Sequence, residues 1–233
     1  MSYLKSQSKK GTTPITIIFV SLLIFGSAGI TYSQLSHTVT FDRGDLQIEI
    51  ESARDGNSYA KINLPSLRKT FDAGMPDLPV KYVKLIIPSD QDVAKISIEK
   101  ASSAKMTISQ PLFPAQPDVP ISIDTEPEFI KPDPSVYKVN QFYPSDIVQL
   151  VHSGYFDGSN HIVTLAVYPI QYNPQTGEIE FYNSIDFTLT MQSSEKQPIR
   201  AKNRSEKSQK IYDTILKKIV DNPGDISAEV TIK

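Results

Sequence analysis

Three histidines, His37, His152 and His161, are the only side chains here whose ordinary pKa lies near neutrality. His152 and His161 flank Asp157, and a turn between them would bring two imidazoles and a carboxylate together. That is an incomplete ligand set, with nothing in the sequence to orient it. The chain has no cysteine, which removes a thiolate nucleophile, zinc–thiolate sites and disulfides at once. No Gly-x-Ser-x-Gly elbow, His-Glu-x-x-His helix or glycine-rich phosphate loop occurs. The residues therefore point to no catalytic site, no metal and no cofactor. The other side chain that stands out is basic. Lys131 is the only basic residue between Lys105 and Lys138. It lies in 109–136, where seven of the seventeen prolines fall between Pro111 and Pro134, among Asp118, Asp124, Glu126, Glu128 and Asp133. Proline withholds ladder donors and stiffens the backbone, so this stretch reads as a long irregular loop. Loops of that length in compact domains are functional or disordered. Taken alone, Lys131 is a solvated loop charge.

The elements that would hold such a loop are strands. Ile185, Phe187, Leu189 and Met191 alternate with Asp186, Thr188 and Thr190, the period of a strand with one buried face. Val163, Leu165 and Val167 give a similar inner row, and the two runs read as a hairpin. Its turn is Asn173-Pro174-Gln175-Thr176-Gly177: Asn caps its own backbone, Pro presets φ, and Gly accepts the positive φ that closes the loop. Leu46, Ile48 and Ile50 predict another strand with one face buried, followed by Tyr59–Leu64 and Val80–Ile87. Ala94, Ile96 and Ile98 predict one more, with a separate short strand at Met106 and Ile108. Arg43-Gly44-Asp45 spells a cell-adhesion triplet but reads as a turn before a strand, since three-residue matches arise by chance. Strands punctuated by turn residues every eight to twelve positions predict an all-β antiparallel sandwich or barrel-like domain.

The ends differ from this body. Lys5, Lys9 and Lys10 precede an apolar run from Ile15 to Phe25 and then small residues, the layout of a secretory signal peptide over 1–33. The run is shorter than the ~20 residues of a spanning helix, so no stable membrane span is expected. Cleavage is expected between Ser33 and Gln34, with Ala28 as a rival point, placing the chain in the periplasm, outside the cell or on its surface. After a β domain at 34–192, residues 193–210 read as a basic linker. Ile211, Tyr212, Ile215, Leu216, Ile219 and Val220 then form one stripe of a short amphipathic helix that Asp221-Asn222-Pro223-Gly224 ends. Ile226–Ile232 reads as the start of a further strand, so 211–233 is taken as helix plus the beginning of a missing or truncated domain. Residues 34–190 carry 12 basic and 20 acidic side chains, and 191–220 carry 8 and 3. An acidic body with a basic tail argues against nucleic acid as partner.

Three stretches, in order, resemble a known family. They are Gly74-Met75-Pro76-Asp77-Leu78-Pro79-Val80 with Leu85-Ile86-Ile87-Pro88, then Gly154-Tyr155-Phe156-Asp157-Gly158, then Val167-x-Pro169-x-Gln171-Tyr172-Asn173-Pro174-x-Thr176-Gly177. Together they resemble the propeptide domain of gingipain-type cysteine peptidases, secreted caspase-like enzymes of Bacteroidetes. The resemblance implies a domain that inhibits and assists folding of such a peptidase, its partner in cis if the reading frame continues and in trans otherwise. The family's catalytic Cys and His belong to the peptidase domain, so this chain is expected not to be an enzyme but a truncated chain or stand-alone inhibitor. Because such peptidases cut after basic residues, the resemblance makes Lys131, with Pro132 and Pro134 behind it, the candidate inhibitory residue and Lys138 its alternate. Arg200 and Arg204 become candidate processing sites. A second reading is an exported β-sandwich module for surface adhesion or assembly, which an isolated gene beside surface-assembly genes would favour.

Overall fold

In the computed structural model, residues 33–117, 127–195 and 204–226 are described. The signal peptide, Arg200 and the expected strand after Ile226 lie outside them. The strands in chain order are β1 (Gln34–Thr40), β2 (Gln47–Ser52), β3 (Ser58–Asn63), β4 (Arg68–Lys69), β5 (Pro79–Ile87) and β6 (Gln91–Thr107), then β7 (Val148–Phe156), β8 (Asn160–Val167), β9 (Ile170–Asn173) and β10 (Glu178–Ser193). A four-residue turn of helix, α1 (Pro134–Tyr137), precedes β7, and α2 (Glu206–Ile219) follows β10. Among the described residues the fold is all-β and antiparallel, with one substantial helix.

Strand β10 organises one sheet. Its whole length pairs with β6, its first turn of residues with β9, and its second half with β1. The other sheet runs β4-β5-β8-β7. Between the sheets, Val83, Leu85, Ile87, Val163, Leu165 and Val167 meet Ile185, Phe187, Leu189 and Met191 in one apolar cluster. A second cluster joins Ala60, Ile62, Leu78, Leu112, Tyr172, Ile179 and Phe181, around β3, β9 and the start of β10. The alternation read in the sequence is therefore the alternation of two inner faces meeting across a sandwich.

The expected hairpin needs correcting. β8 does not pair with β10; it pairs with β5 and β7 in the opposite sheet. Pro169 interrupts the strand, the chain crosses between sheets there, and only β9 (Ile170–Asn173) pairs with β10, across the Asn173–Gly177 turn. In that turn Gly177 N–H donates to Asn173 O at 2.9 Å, Gln175 N–H donates to Asn173 Oδ1 at 3.1 Å, and Gly177 has φ +68°. Two further expectations fail. Ala94–Ile98 and Met106 belong to one continuous 17-residue β6, because β10 is long enough to pair with all of it. β2 is exposed along its length, with Ile48 and Ile50 39% and 58% accessible, since β2 and β3 form a separate two-stranded ribbon. Arg43–Asp45 is a short 3-10 turn capped by Asp42, as the turn reading required.

The helix begins at Glu206, so 206–210 are helical rather than linker, with Ser205 as the capping residue that accepts from Ser208 N–H. Leu216 and Val220 pack on Ile86, with Ile162 and Phe156 at the margin. This explains the continuous apolar run at the end of β5: Leu85 and Ile87 face the sandwich while Ile86 faces the helix, so both sides are covered. Asp221 and Asn222 then seal the outer edge of β5. Lys84 N–H donates to Asp221 Oδ2 and Ile86 N–H to Asn222 Oδ1, both at 2.8 Å, while Asn222 Nδ2 donates to Ile86 O at 2.9 Å. An open strand edge would otherwise offer those groups to another chain.

Candidate functional site

The proline-rich stretch is anchored at both ends by the same few residues. On the outward leg, Ala60 N–H donates to Pro111 O at 2.8 Å and Phe113 N–H to Ala60 O at 2.9 Å, extending β3 by a parallel bridge. Leu112 is fully buried beneath. Asp77 N–H donates to Phe113 O, Ala115 N–H to Met75 O and Gly74 N–H to Ala115 O, at 2.9, 2.7 and 2.9 Å. The return leg uses the same corner: Asp133 N–H donates to Gly74 O at 2.9 Å. Gly74 can serve both legs because its φ is +85° and because a Cβ there would lie 3.2 Å from Lys131 O.

The two legs are also clasped to each other. Gln116 Nε2 donates to Ile130 O and Ile130 N–H donates to Gln116 Oε1, both at 2.9 Å, so one amide side chain reproduces a β-bridge. Arg54 donates to Pro127 O at 3.1 Å. Phe129 meets Phe113 edge-on at 5.7 Å between ring centroids and lies 6.2 Å from Tyr59, and Lys61 Nζ sits 4.3 Å above Phe113. Such a base costs little further ordering when a partner binds. Desolvation opposes ionisation of Asp55, but the Tyr59 hydroxyl, the Asn57 groups and the charge of Lys131 hold its carboxyl below the ordinary value.

Lys131 lies on this base with its side chain exposed and its carbonyl packed against Gly74. Lys138 is exposed at the C-terminal end of α1, past the clasp. Gly74 and the prolines were legible in the sequence. Gln116, Phe113, Phe129 and Arg54 were not, since none sits in a periodic run and their partners are remote in sequence.

The histidines do other work. His161 is 1% exposed and stacks on Tyr155 at 4.6 Å. Its Nε2 lies 2.7 Å from Ser153 Oγ and 3.7 Å from Asp92 Oδ1. A nucleophile relay needs serine and carboxylate on opposite ring nitrogens, and a ring open to substrate; here both meet the same nitrogen of a buried ring. The cluster ties β6, β7 and β8 together. His152 lies elsewhere on β7, opposite Thr164. Among the described residues, no group of three or more His, Asp or Glu is placed to hold a metal.

Asp157, which the sequence places between the histidines, instead receives Arg204. It sits at a corner with φ +57°, followed by Gly158 at +80°, the mirror-image turn geometry that Asp-Gly favours. Its side chain is fully buried, and Oδ2 accepts from Arg204 Nη1 at 2.6 Å while Oδ1 accepts from Ser159 and Asn160 N–H. The guanidinium also lies 4.1 Å over the Tyr212 ring, so this pair fixes the start of α2 to the β7–β8 corner. Burial alone would raise the Asp157 pKa, but Arg204 and the Asn160 and Ser159 donors outweigh it and hold the carboxyl below its ordinary range. A depressed carboxylate pKa gives stability present above the unfolded pKa of ~3.9 and lost as pH falls through the lower folded value. Protection of the α2 amides, taken relative to their intrinsic exchange rate at each pH, is therefore expected to fall on acidification below about pH 4. In Asp157→Asn, α2 should already exchange fast at neutral pH and show a flatter acid response; unchanged protection would contradict the clamp.

Comparison with known proteins bears on this geometry. A family model described as Propeptide_C25 matches residues 28–225. The fold is similar to a chain in the complex of Porphyromonas gingivalis RgpB pro- and mature domains, at TM-score 0.65 and 15% identity, covering 82% of this chain and 92% of that one. It is also similar to a structure addressing zymogenic latency of gingipain K from Porphyromonas gingivalis, at TM-score 0.57 and 18% identity, covering 71% and 90%. No curated protein matches the chain. Among the described residues, no helix is long and apolar enough to cross a membrane.

Proposed function

This chain belongs to the propeptide family of gingipain-type cysteine peptidases, and from that premise we propose that it docks on a caspase-like cysteine peptidase domain, assists its folding and keeps it latent. The observation that carries the reading is the doubly clasped base of the proline-rich loop. A rigid stem bearing one exposed lysine is suited to present a substrate-like basic group to a cleft without a large ordering cost. Lys131 is the proposed inhibitory residue and Lys138 the alternate. The Lys131 carbonyl packs against Gly74, and Pro132 follows it, both of which disfavour cutting after this residue. RgpB pro- and mature domains form a complex, and gingipain K has a latent zymogen; the same partnership is proposed here, in cis or in trans.

Export follows from the same reading, with a signal peptide removed near Ser33 and Gln34. β1 begins at Gln34, and Ser33 O accepts Met191 N–H at 2.9 Å, so removal at Ala28 would keep one more bond than removal at Ser33. Activation is proposed by cleavage between β10 and α2. Arg200 is the better processing site, since Arg204 is spent on Asp157 and Tyr212. N-terminal sequencing of the exported and processed chains decides both points.

Gel filtration tests the partnership. The chain from Gln34 onward, mixed with the caspase-like peptidase domain of its source organism, should co-elute as a one-to-one complex. Separate elution at micromolar concentration would contradict the proposal.

A further inference from the structure

A pocket of about 270 Å³ opens between the corner after β4, α1 and the segment that leads to β7. The residues that line it include Phe142, Tyr143, Tyr168, Ser145 and Gln149, with a single charged one, Asp72. We propose that this pocket binds the guanidinium or ammonium of a basic side chain presented by a polypeptide partner.

The chemistry of the lining carries the inference. Aromatic faces attract a cation through their electron-rich π clouds, and one carboxylate supplies the counter-charge. The volume falls below the ~300–1,000 Å³ that house drug-sized ligands, so a single side chain fits the space better than a whole small molecule. Asp72 lies close enough to both phenols for its charge to be felt. Burial, then the Asp72 charge, push the Tyr143 hydroxyl up to about 12, and burial followed by Tyr82 and Asp72 raise Tyr168. The neighbouring cation, Lys105, stands 5.8 Å from the Phe142 ring and is held by Glu178 at 2.6 Å, which leaves Asp72 to set the sign of the pocket. The surrounding body is acidic, with 20 acidic against 12 basic side chains over 34–190. Its field favours the same class of ligand.

The walls are already fixed. Tyr143 N–H donates to Tyr172 O at 2.8 Å and Tyr172 N–H to Tyr143 O at 2.9 Å, while Gln171 Nε2 donates to Pro144 O at 2.7 Å. Tyr168 N–H donates to Ile147 O at 2.8 Å, and Met75 N–H to Asp72 O at 3.0 Å. The backbone that carries these residues is therefore held in place before a ligand arrives, which lowers the ordering cost of binding.

The probes are an acetylated, amidated pentapeptide with arginine at its centre, its norleucine counterpart, and N-acetylarginine amide. Each is titrated into the chain from Gln34 onward while the Tyr143 and Tyr168 ring signals are followed by NMR. The arginine peptide should shift both rings saturably, and the norleucine peptide at least about tenfold more weakly. Asp72→Asn should remove that preference while leaving the β10 amide signals in place, which separates loss of the site from loss of the fold. Absence of saturable shifts, or equal shifts in Asp72→Asn, would overturn the proposal. N-acetylarginine amide binding as tightly as the pentapeptide would overturn the assignment to a polypeptide partner.

Discussion

Gly177→Val is expected to lower the melting temperature by at least about 4 °C or to prevent folding. Two costs add. At φ +68° a β-branched residue is strained by roughly 1–3 kcal/mol. A Cβ at this position would also overlap Ile108 O, a backbone atom that cannot rotate away. Relieving that overlap means shifting the end of β6 or the turn, a cost of about 1–3 kcal/mol by analogy with overpacked sites. Together these consume a large part of the ~5–15 kcal/mol that holds a domain folded, at about 2–4 °C for each kcal/mol in a chain of this size. The same move would strain the bond from Ile108 N–H to Gly177 O, now 2.9 Å. Gly56→Val is the control. Gly56 has φ +83° but nothing within 4 Å of the added carbon, so it carries the backbone strain without the overlap and should cost clearly less. Thermal melts followed by circular dichroism measure both. A Gly177→Val chain melting within about 2 °C of the parent would mean the turn does not constrain the fold as described.

The second large effect concerns inhibition. Lys131→Ala is expected to weaken inhibition of the partner peptidase by well over tenfold and leave the chain's own melting unchanged. Removing one member of a charge pair buried in an interface costs about 2–5 kcal/mol, much of it from the opposite charge left unpaired. In the free domain the Lys131 side chain is exposed, and its carbonyl and the adjoining clasp are backbone features that alanine retains. Stability and inhibition therefore separate at this residue. Inhibition constants for Lys131→Ala and Lys138→Ala, measured against the same peptidase preparation, decide between the two lysines. If neither variant changes the constant, the blocking contact lies elsewhere on the chain.

What the sequence disclosed depended on the range of the interaction. The Asn173–Gly177 turn was legible because its chemistry is local: an Asn side chain reaching Gln175 N–H and a glycine at positive φ. The inner rows of β8 and β10 were legible as buried faces. Their pairing was not, because a period of two shows which face is covered and not which strand lies alongside. They meet across the sandwich and Pro169 carries the chain between sheets. Ile48 and Ile50 alternate as cleanly as any core strand yet remain exposed, since periodicity does not guarantee a cover. At the candidate site, Lys131 stood out as a lone basic residue among prolines and acids. The Gln116–Ile130 clasp left no trace, because one glutamine closing a loop across 14 positions has no repeating pattern to reveal it.

Inhibition itself is tested most directly by an activity titration. The chain from Gln34 onward is added to the active caspase-like peptidase domain of its source organism, and hydrolysis of a substrate with a basic residue at the cleavage site is followed. A latency domain gives a saturable loss of activity that levels off at one chain per peptidase, with the added chain recovered uncut at Lys131. Full activity at micromolar chain, or inhibition that fades as the chain is cut after Lys131, would contradict it.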